Sequence, residues 1–311
     1  MKKVCGFAPA SIGNFCVGFD VLGLALESIG DKVEVSLNGT DTNRITQIVN
    51  GENLPMSIDK NCCSVVIRKM QEALGNFRGL DIRIHKGFES GSGLGSSSAS
   101  SAAAAFTYNE FLGKSFSDNE LVAFAAEGER LASGTAHADN VAPALLGGLV
   151  LVRDNNPIDI IRLPIPKGLF VVILFPKIVV NTKDSRSVMQ QNISLQTATN
   201  QWANMGALVA SLYQNDLSLL SRAMVDEVAE PARALLIPKF EEIKAAAKQN
   251  DAISFGISGS GPSVFALTDN ITQAKKIQEA MKQVFYNTSI DTMSLIESLA
   301  NNKGARLVDT F

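Results

Sequence analysis

The sequence predicts an α+β protein of two domains. A chain of 311 residues is longer than one hydrophobic core needs and leaves room for two cores. Segments with strand periodicity and segments with helical periodicity follow one another in irregular order, which favours packed α+β layers over a regular βαβ array. The turn-forming run at 154–157 (sequence DNNP) is the best boundary candidate and predicts domains at residues 1–155 and 156–311.

Four segments have the pattern of β-strands. Residues 32–37 and 80–84 alternate apolar and polar side chains, as half-buried strands do. Residues 149–152 and 169–175 are continuous apolar runs, which are typical of strands buried on both faces. These segments supply the strands of the predicted layers.

Three segments have the pattern of helices. Ser117 and Glu120 form a capping box that opens a helix continuing to about Ala132. Two later segments repeat apolar residues at helical spacing. These residues are Met205, Leu208, Val209 and Leu212 in the first segment, and Ile277, Ala280, Met281 and Val284 in the second.

The charge balance argues against nucleic acid or a membrane as a partner. The net charge is −3 and Lys and Arg form no block, so neither a nucleic-acid surface nor an anionic-membrane surface is expected. No apolar window has the length of a membrane span, and Pro9, Gly13 and Asn14 interrupt the apolar stretch near the N-terminus. The composition is typical of a cytoplasmic enzyme that acts on small molecules.

The four cysteines predict neither a disulfide framework nor a zinc site. Cys62 and Cys63 are adjacent, Cys5 and Cys16 stand apart, and no CxxC spacing occurs. We expect small buried thiols. Even for Cys16, packing is favoured over chemistry, because no histidine lies nearby in the sequence to activate the thiol.

The densest run of glycine and serine predicts a phosphate-binding loop. Glycine lets backbone N–H groups close on an anion, serine adds hydroxyl donors, and the alanine-rich segment 99–105 can begin a helix whose dipole favours negative charge. A flexible linker is the alternative, but this run leads straight into that helix and follows the strand segment 80–84. The run comprises Gly91, Ser92, Gly93, Leu94, Gly95, Ser96, Ser97 and Ser98.

This loop differs from the two common nucleotide loops and resembles a third. No lysine follows Gly95 until Lys114, and the GxGxxG pattern of dinucleotide-binding proteins fails to register with a following acidic residue. The run resembles the central motif of the GHMP kinases, the family named for galactokinase, homoserine kinase, mevalonate kinase and phosphomevalonate kinase. Residues 9–23 resemble the first motif of that family, in the form found in its homoserine kinase branch, and residues 256–265 resemble the third.

The resemblance implies the two-domain GHMP kinase fold. The N-terminal domain would hold a mixed sheet with a left-handed βαβ crossover, and the C-terminal domain would be a ferredoxin-like α+β unit. The third motif would turn back to line the site between them. Taken alone, residues 256–263 also fit a tight turn before a strand.

One helical carboxylate is a candidate for holding Mg²⁺. Glu129 continues the small apolar stripe of Val122, Ala125 and Ala126, where an unpaired carboxylate would be costly. The resemblance implies that Glu129 and Ser97 hold Mg²⁺ against the phosphates of ATP, which the glycine loop would bind. The alternative is a rim glutamate paired with Arg130 or Lys114.

Asn61 occupies the position at which members of the family contact adenine. The resemblance therefore implies that Asn61 binds the base of ATP. A plain helix cap before Cys62 is the alternative, because asparagine is a favoured residue at that position.

The polar segment 133–148 predicts a substrate site and resembles a signature of the homoserine kinase branch. The resemblance implies an amino-acid substrate, L-homoserine, bound through both of its charges. On physical grounds alone, the histidine would be a structural hydrogen-bonding residue and each arginine an ordinary surface residue. The implied substrate-binding residues are Asn14 for the polar chain, Asp20 for the ammonium group, Arg186 and Arg233 for the carboxylate, and His137 and Asn140.

The implied reaction transfers the γ-phosphoryl group of ATP to the side-chain hydroxyl of L-homoserine. Positioning and charge stabilisation can do most of this work, because the transition state is loose. We expect catalytic roles for Asn140, Glu129 and Ser97, with Asn140 orienting the hydroxyl. Asp139 is the one candidate for a base, and the base stays unassigned. Dimers are common in the family, so a homodimer is possible.

Two residues depart from the family pattern. Cys16 replaces a glycine of the first motif, and Glu89 stands where a proline usually precedes the glycine loop. A carboxylate beside bound phosphates would be unfavourable unless it pointed away or helped to bind a cation. Two other function classes stay open: a GHMP enzyme for mevalonate, a sugar or a diphosphocytidyl substrate, and a non-catalytic binding protein.

Overall fold

The computed structural model describes residues 2–134, 137–180, 182–300 and 302–309. The strands are β1 (Lys3–Gly13), β2 (Leu22–Leu37), β3 (Arg44–Val49), β4 (Leu80–His85), β5 (Leu149–Asn155), β6 (Ile158–Leu163), β7 (Phe170–Pro176), β8 (Ser254–Ile257), β9 (Val264–Thr268), β10 (Thr292–Ser298) and β11 (Arg306–Leu307). The helices are α1 (Cys62–Leu74), α2 (Ser96–Leu112), α3 (Asp118–Ser133), α4 (Val141–Leu146), α5 (Thr182–Ser187), α6 (Leu195–Gln214), α7 (Leu217–Ala223), α8 (Glu230–Arg233), α9 (Phe240–Gln249) and α10 (Ile271–Gln283), with a 3₁₀ turn at Ala234–Leu236.

The predicted α+β layers are confirmed, element by element. The four strand segments match β2, β4, β5 and β7, and the three helical segments match α3, α6 and α10. Leu169 and Val284 each lie one residue outside the matching element. The capping box of Ser117 and Glu120 opens α3 as expected. No helix among the described residues is long and apolar enough to cross a membrane.

The first sheet is mixed and has the order β11-β1-β2-β4-β3, with β5 and β6 continuing from β2. The long strand β2 pairs with β1 along most of its length, with β4 through residues 32–37 and with β5 through residues 22–24. These pairs are antiparallel, whereas β3 and β4 are parallel and are joined through α1. The mixed sheet expected from the resemblance is therefore present.

Helix α2 lies at the centre of the first unit. It packs against β1 and β2 on one side and against α1, α3 and α4 on the others. Its alanines Ala102, Ala103, Ala104 and Ala105 have no exposed surface. Small side chains on every face let the surrounding elements approach closely, which holds the N-terminus of α2 in a fixed place.

The second sheet has the order β10-β7-β9-β8, and each neighbouring pair is antiparallel. Counted along the chain this is the order 4-1-3-2 with helices after the first and third strands, the ferredoxin-like arrangement. Alternate residues of β7 face different cores. Val171 and Ile173 pack with Leu208 of α6, while Val172 and Leu174 join the cluster under α9 and α10.

The division between the sheets lies later than the expected boundary. The turn at 154–157 joins β5 to β6, which pair antiparallel, so the first sheet continues to Leu163. The second sheet begins at Phe170, and β11 returns to pair with β1. A turn-forming run marks a reversal of the chain, and here both strands at the reversal belong to one sheet.

Candidate active site

The three segments that resembled family motifs meet in space. Ser11 N donates to Leu94 O over 3.0 Å, and Gly259 N donates to Gly13 O over 3.0 Å. Ser258 Oγ donates to Gly93 O over 2.8 Å. Direct hydrogen bonds thus tie the first and third motifs to each other and to the glycine loop, which shows that distant parts of the sequence build one site.

The glycine loop adopts a conformation that requires glycine. Gly91, Gly93 and Gly95 all have positive φ angles, between 69° and 80°. A Cβ on Gly93 would lie 2.5 Å from Gly261 O. Gly95 precedes α2 and offers no side-chain cap, so the first N–H groups of this buried helix remain available to an anion.

A cavity of about 610 Å³ opens in front of this loop, a volume suited to a small-molecule ligand. Two of the expected ATP-binding residues do not line it. Ser92 and Leu94 are buried beneath the loop, where Ser92 O accepts a hydrogen bond from Ser263 N. The expected residues that line the cavity are Asn61, Gly91, Gly93, Gly95, Ser96, Ser97, Ser98, Glu129 and Asn140.

Glu129 reaches the start of α2. Its Oε2 accepts hydrogen bonds from Ser97 Oγ over 2.6 Å and from Ser98 Oγ over 2.8 Å. The rim alternative finds no support, because Lys114 pairs with Glu110 and Arg130 pairs with Glu127. A carboxylate and two hydroxyls beside a phosphate cradle are the hard oxygen donors that Mg²⁺ prefers.

These donors fit a magnesium ion that shares its coordination with a nucleotide. Within the described part of the chain, no group of three or more His, Cys, Asp or Glu side chains could hold a metal ion unaided. Mg²⁺ typically takes one or two protein groups and completes its shell with phosphate oxygens and water. Ser97 and Glu129 match that requirement.

Asn61 caps α1, as the simpler interpretation expected. Its Oδ1 accepts from Cys63 N over 3.0 Å, and its Nδ2 donates to Pro55 O over 3.0 Å. Asn61 and Pro55 both line the large cavity. The contact with adenine stays a prediction.

A second, smaller cavity adjoins the first. Both cavities are lined by Glu129, Asn140, Gly259 and Ser260, so a ligand in one would meet a ligand in the other at these residues. All six residues expected to bind the substrate line the smaller cavity. They are Asn14, Asp20, His137, Asn140, Arg186 and Arg233.

Two charged groups of this cavity, Asp20 and Arg186, are already paired with each other. Asp20 accepts from Arg186 Nη1 over 3.1 Å and from Arg186 Nη2 over 2.9 Å, a bidentate ion pair. His137 Nδ1 lies 3.6 Å from Asp20 Oδ2, and burial lowers the pKa of His137. The pairing of Asp20 with Arg186 was not expected from the sequence, which assigned the two groups to opposite ends of a ligand.

Arg233 is a buried residue and not part of the surface. It is 3% exposed, and its Nη1 donates to Gly259 O over 2.7 Å. Burial lowers the pKa of Arg233, and the nearby Asp20 carboxylate opposes that effect. Burying a guanidinium group is costly, and binding of the substrate carboxylate by Arg233 stays a prediction.

Asn140 is held from both sides of its amide. Ser11 Oγ donates to Asn140 Oδ1 over 2.9 Å, and Asn140 Nδ2 donates to Asp139 Oδ2 over 3.2 Å. Asp139 also accepts from Asn14 N over 3.3 Å. This network fixes the amide where the two cavities meet.

Asp139 is buried, and desolvation raises its pKa to about 7, with the charges of Asp20 and Glu129 acting in the same direction. A carboxyl group whose pKa is raised on folding stabilises the protein below its unfolded pKa, near 3.8, and loses that contribution as pH rises through about 7. Between pH 5 and pH 8, we expect the free energy of unfolding to fall by about 1 to 4 kcal/mol less in Asp139→Asn than in the parent protein.

Urea unfolding of both proteins across this range measures the effect. Asp41→Asn, at an exposed turn, is the matched control and should follow the parent protein. Equal pH slopes for the parent protein and Asp139→Asn would contradict the assignment.

Two family models and several proteins of known name match this chain. Family models for the GHMP kinases N terminal domain and the GHMP kinases C terminal domain match residues 61–148 and 208–287. The chain is 46% identical to a homoserine kinase of Chlorobium phaeobacteroides (strain BS1), covering 92% of each. It is 43% identical to a homoserine kinase of Chlorobaculum tepidum, covering 100% of this chain and 99% of the relative. This chain belongs to the GHMP kinase family.

Solved structures of GHMP kinases agree. A crystal structure of homoserine kinase from Cytophaga hutchinsonii matches with a TM-score of 0.95 and 43% identity, covering 99% of this chain and 98% of that one. A phosphomevalonate kinase of Streptococcus pneumoniae, in complex with phosphomevalonate and AMPPNP, matches with a TM-score of 0.71 at 16% identity. The second likeness shows the common fold alone.

Neither residue that departs from the GHMP kinase pattern lines the two cavities of the site. Glu89 is exposed and does not line the large cavity. Cys16 is 4% exposed, and burial raises the pKa of its thiol well above the usual value. The expected packing role of Cys16 is confirmed, because a thiol with a raised pKa is a poor nucleophile.

Sequence reasoning missed a buried ion pair beneath the GHMP glycine loop. Lys86 pairs with Asp31, and both side chains are almost fully buried. Lys86 Nζ also donates to Ser96 O over 3.0 Å and to Ser100 Oγ over 2.8 Å. Asp31 Oδ1 accepts from Gly87 N over 3.0 Å. The available signal was an aspartate within the strand pattern of β2 and a lysine directly after that of β4.

Proposed function

We propose that this GHMP kinase is a homoserine kinase. It would transfer the γ-phosphoryl group of Mg²⁺-ATP to the hydroxyl of L-homoserine and give O-phospho-L-homoserine, a step of threonine biosynthesis. One observation carries the proposal: a pocket with groups of both charges, Asp20 beside Arg186 and Arg233, adjoins the cavity of the glycine loop. Relatives named homoserine kinase at 43–46% identity support it.

The cytoplasm is the proposed site of the reaction. All four cysteines are free thiols, which suits a reducing compartment. The small-molecule substrates also fit this assignment.

The loop and its neighbours would bind the nucleotide. Backbone N–H groups of the glycine loop and of the first turn of α2 would hold the phosphates, with Asn61 near the base. Ser97 and Glu129 would hold Mg²⁺, which neutralises charge on the β- and γ-phosphate oxygens. Lys86, which also lines the large cavity, would keep Ser96 in place.

The smaller pocket would bind the amino acid. A zwitterion presents both charges, so its ammonium group would bind Asp20 and its carboxylate would bind Arg186 and Arg233. The ligand would thereby replace the contacts that Asp20 and Arg186 make with each other. An acid without an amine would leave the Asp20 carboxylate without a cationic group of the ligand.

Asn140 would orient the acceptor hydroxyl where the two cavities meet. Its amide is fixed by Ser11 and Asp139, which suits it to position a group rather than to accept a proton. Asp139 supports this amide through its Oδ2, and we assign no residue the role of base. A loose phosphoryl-transfer transition state makes positioning and charge stabilisation the main contributions.

Asn140→Leu should lower kcat by about 10- to 100-fold, because the amide would orient the acceptor hydroxyl. ATP affinity should stay unchanged, because backbone N–H groups of the glycine loop, and not this amide, would hold the phosphates. Steady-state kinetics with varied homoserine, together with ATP titration by calorimetry, measures both quantities. Ser11→Ala removes one hydrogen bond to the same amide and should give a smaller loss. Unchanged turnover in Asn140→Leu would remove this residue from the mechanism.

The function itself is tested by ADP release from the purified protein with Mg²⁺-ATP. The acceptors are L-homoserine, D-homoserine, L-threonine, L-serine, mevalonate and galactose, each supplied alone. A clear preference for L-homoserine supports the proposal. A preference for mevalonate or galactose would overturn the pocket assignment, and silence with every acceptor would favour a binding protein without turnover.

A further inference from the structure

An aromatic ring, Phe19 of the first motif, lies against the two arginines that line the smaller pocket. The guanidinium carbon of Arg186 lies 5.6 Å from the centroid of the Phe19 ring, and that of Arg233 lies 5.0 Å from the same centroid. Both distances are within the range of cation–π contact. One ring therefore contacts both cations that would bind the carboxylate of the substrate.

The guanidinium groups of Arg186 and Arg233 need a stabilising contact that does not use their N–H groups. They carry like charges close together, which is unfavourable because Arg233 is buried and Arg186 is only partly exposed. A second carboxylate would balance them, but it would also occupy the N–H groups that a ligand carboxylate needs. An aromatic ring attracts a guanidinium group through its π face and accepts none of the in-plane N–H bonds.

The hydrogen bonds of the two arginines leave some of their N–H groups without a partner among the residues that the structure describes. Arg186 uses Nη1 and Nη2 on Asp20, and Arg233 uses Nη1 on Gly259 O. The Nε atoms of both arginines are buried and have no hydrogen-bond partner within residues 2–134, 137–180, 182–300 and 302–309. Buried donors without partners are rare, and here both lie beside a cavity.

The backbone ties the ring to the acidic residue of the same pocket. Phe19 directly precedes Asp20, whose φ is 61° and whose N–H donates to Asn14 Oδ1 over 3.1 Å. Asn14 Nδ2 in turn donates to Gly259 O over 3.0 Å, the oxygen that also accepts from Arg233. The turn held by Asn14 thus fixes the positions of the Asp20 carboxylate and the Phe19 ring relative to the guanidinium groups.

We propose that Phe19 is a positioning residue that holds Arg186 and Arg233 in the arrangement that binds the α-carboxylate of the substrate. The inference rests on the proposed function and extends it, since it assigns selectivity for a carboxylate to a residue without charge. Phe19 acts through the arginines and need not touch the reacting atoms.

The test separates the carboxylate from the rest of the substrate. Phe19→Leu keeps every charge and removes the ring, so we expect the KM for L-homoserine to rise about 10-fold, with kcat and the KM for ATP changing less than about 2-fold. The inhibition constant of 3-aminopropan-1-ol, which is homoserine without its carboxylate, should stay unchanged. Phe19→Tyr and Phe19→Trp, which retain an aromatic face, should restore the parent KM.

A distant ring provides the control. Phe124→Leu removes an aromatic contact with Phe116 outside both cavities, and its KM values should match those of the parent protein. An unchanged homoserine KM in Phe19→Leu, or an equal loss of affinity for homoserine and 3-aminopropan-1-ol, would overturn the inference alone. A parent protein that binds ATP but does not phosphorylate homoserine would overturn the proposed function and the inference with it.

Discussion

Glu129→Gln is expected to lower kcat by about 100- to 1,000-fold, the range typical for loss of one preorganised electrostatic group. The change keeps the shape of the side chain and removes the negative charge that would hold Mg²⁺ beside Ser97. Glutamine still offers one oxygen to the two serine hydroxyls, so the start of α2 should keep its structure. The measurement is kcat across a range of Mg²⁺ concentrations, with the melting temperature as a check on folding.

The neighbouring residue Glu127 supplies the matched control. It lies two positions earlier in α3, and it pairs with Arg130 on the exposed side of that helix. Glu127→Gln should leave kcat and its Mg²⁺ dependence unchanged. Full activity of Glu129→Gln at saturating Mg²⁺ would show that Glu129 contributes only to the affinity for Mg²⁺. Full activity at every Mg²⁺ concentration would show that Glu129 has no role in the site.

Lys86→Met should destabilise the protein by about 3–5 kcal/mol, because it leaves the Asp31 carboxylate buried without its cation. The free energy of unfolding in urea measures this loss. The double variant Lys86→Met/Asp31→Leu should recover part of it, since removing both charges removes the uncompensated one. The KM for ATP should rise in Lys86→Met, because Ser96 loses the ammonium group that holds its carbonyl.

An exposed ion pair serves as the control for the effect of burial on the stability contributed by the Lys86–Asp31 pair. Arg153 and Asp159 pair at the surface on the hairpin of β5 and β6, where side chains remain in water. Arg153→Met should cost less than about 1 kcal/mol, as surface pairs usually do. Similar losses in Arg153→Met and Lys86→Met would show that the pair beneath the loop is not a special determinant of stability.

The sequence contained enough information to predict much of this site. The glycine loop could be recognised because its function depends on the backbone, and glycine adopts the positive φ angles found at Gly91, Gly93 and Gly95 at the lowest conformational cost. Strands and helices could be recognised because periodicity records which side chains are buried. Both signals are local, so they need no knowledge of what lies across the fold.

Pairings between distant residues could not be predicted in the same way. Asp20 and Arg186 are separated by 166 positions, and nothing in either segment records that they touch. Lys86 looked like an ordinary charged residue at the end of a strand, since periodicity shows that a position is buried without naming its partner. The β5–β6 turn resembled a domain boundary for the same reason: local composition does not tell which sheet the next strand joins.

The contact between Ser258 and Gly93 has a consequence for the order of events during protein synthesis. The ribosome releases the glycine loop long before it adds the segment that holds this loop in place. A nascent chain that ends before Ser258 would therefore carry strands β1 to β6 of the first sheet, without β11, and a nucleotide loop that is not yet fixed. We therefore expect the chain to bind ATP only late in translation, when it is nearly complete. Synthesis of the domain that contains the glycine loop should not be sufficient.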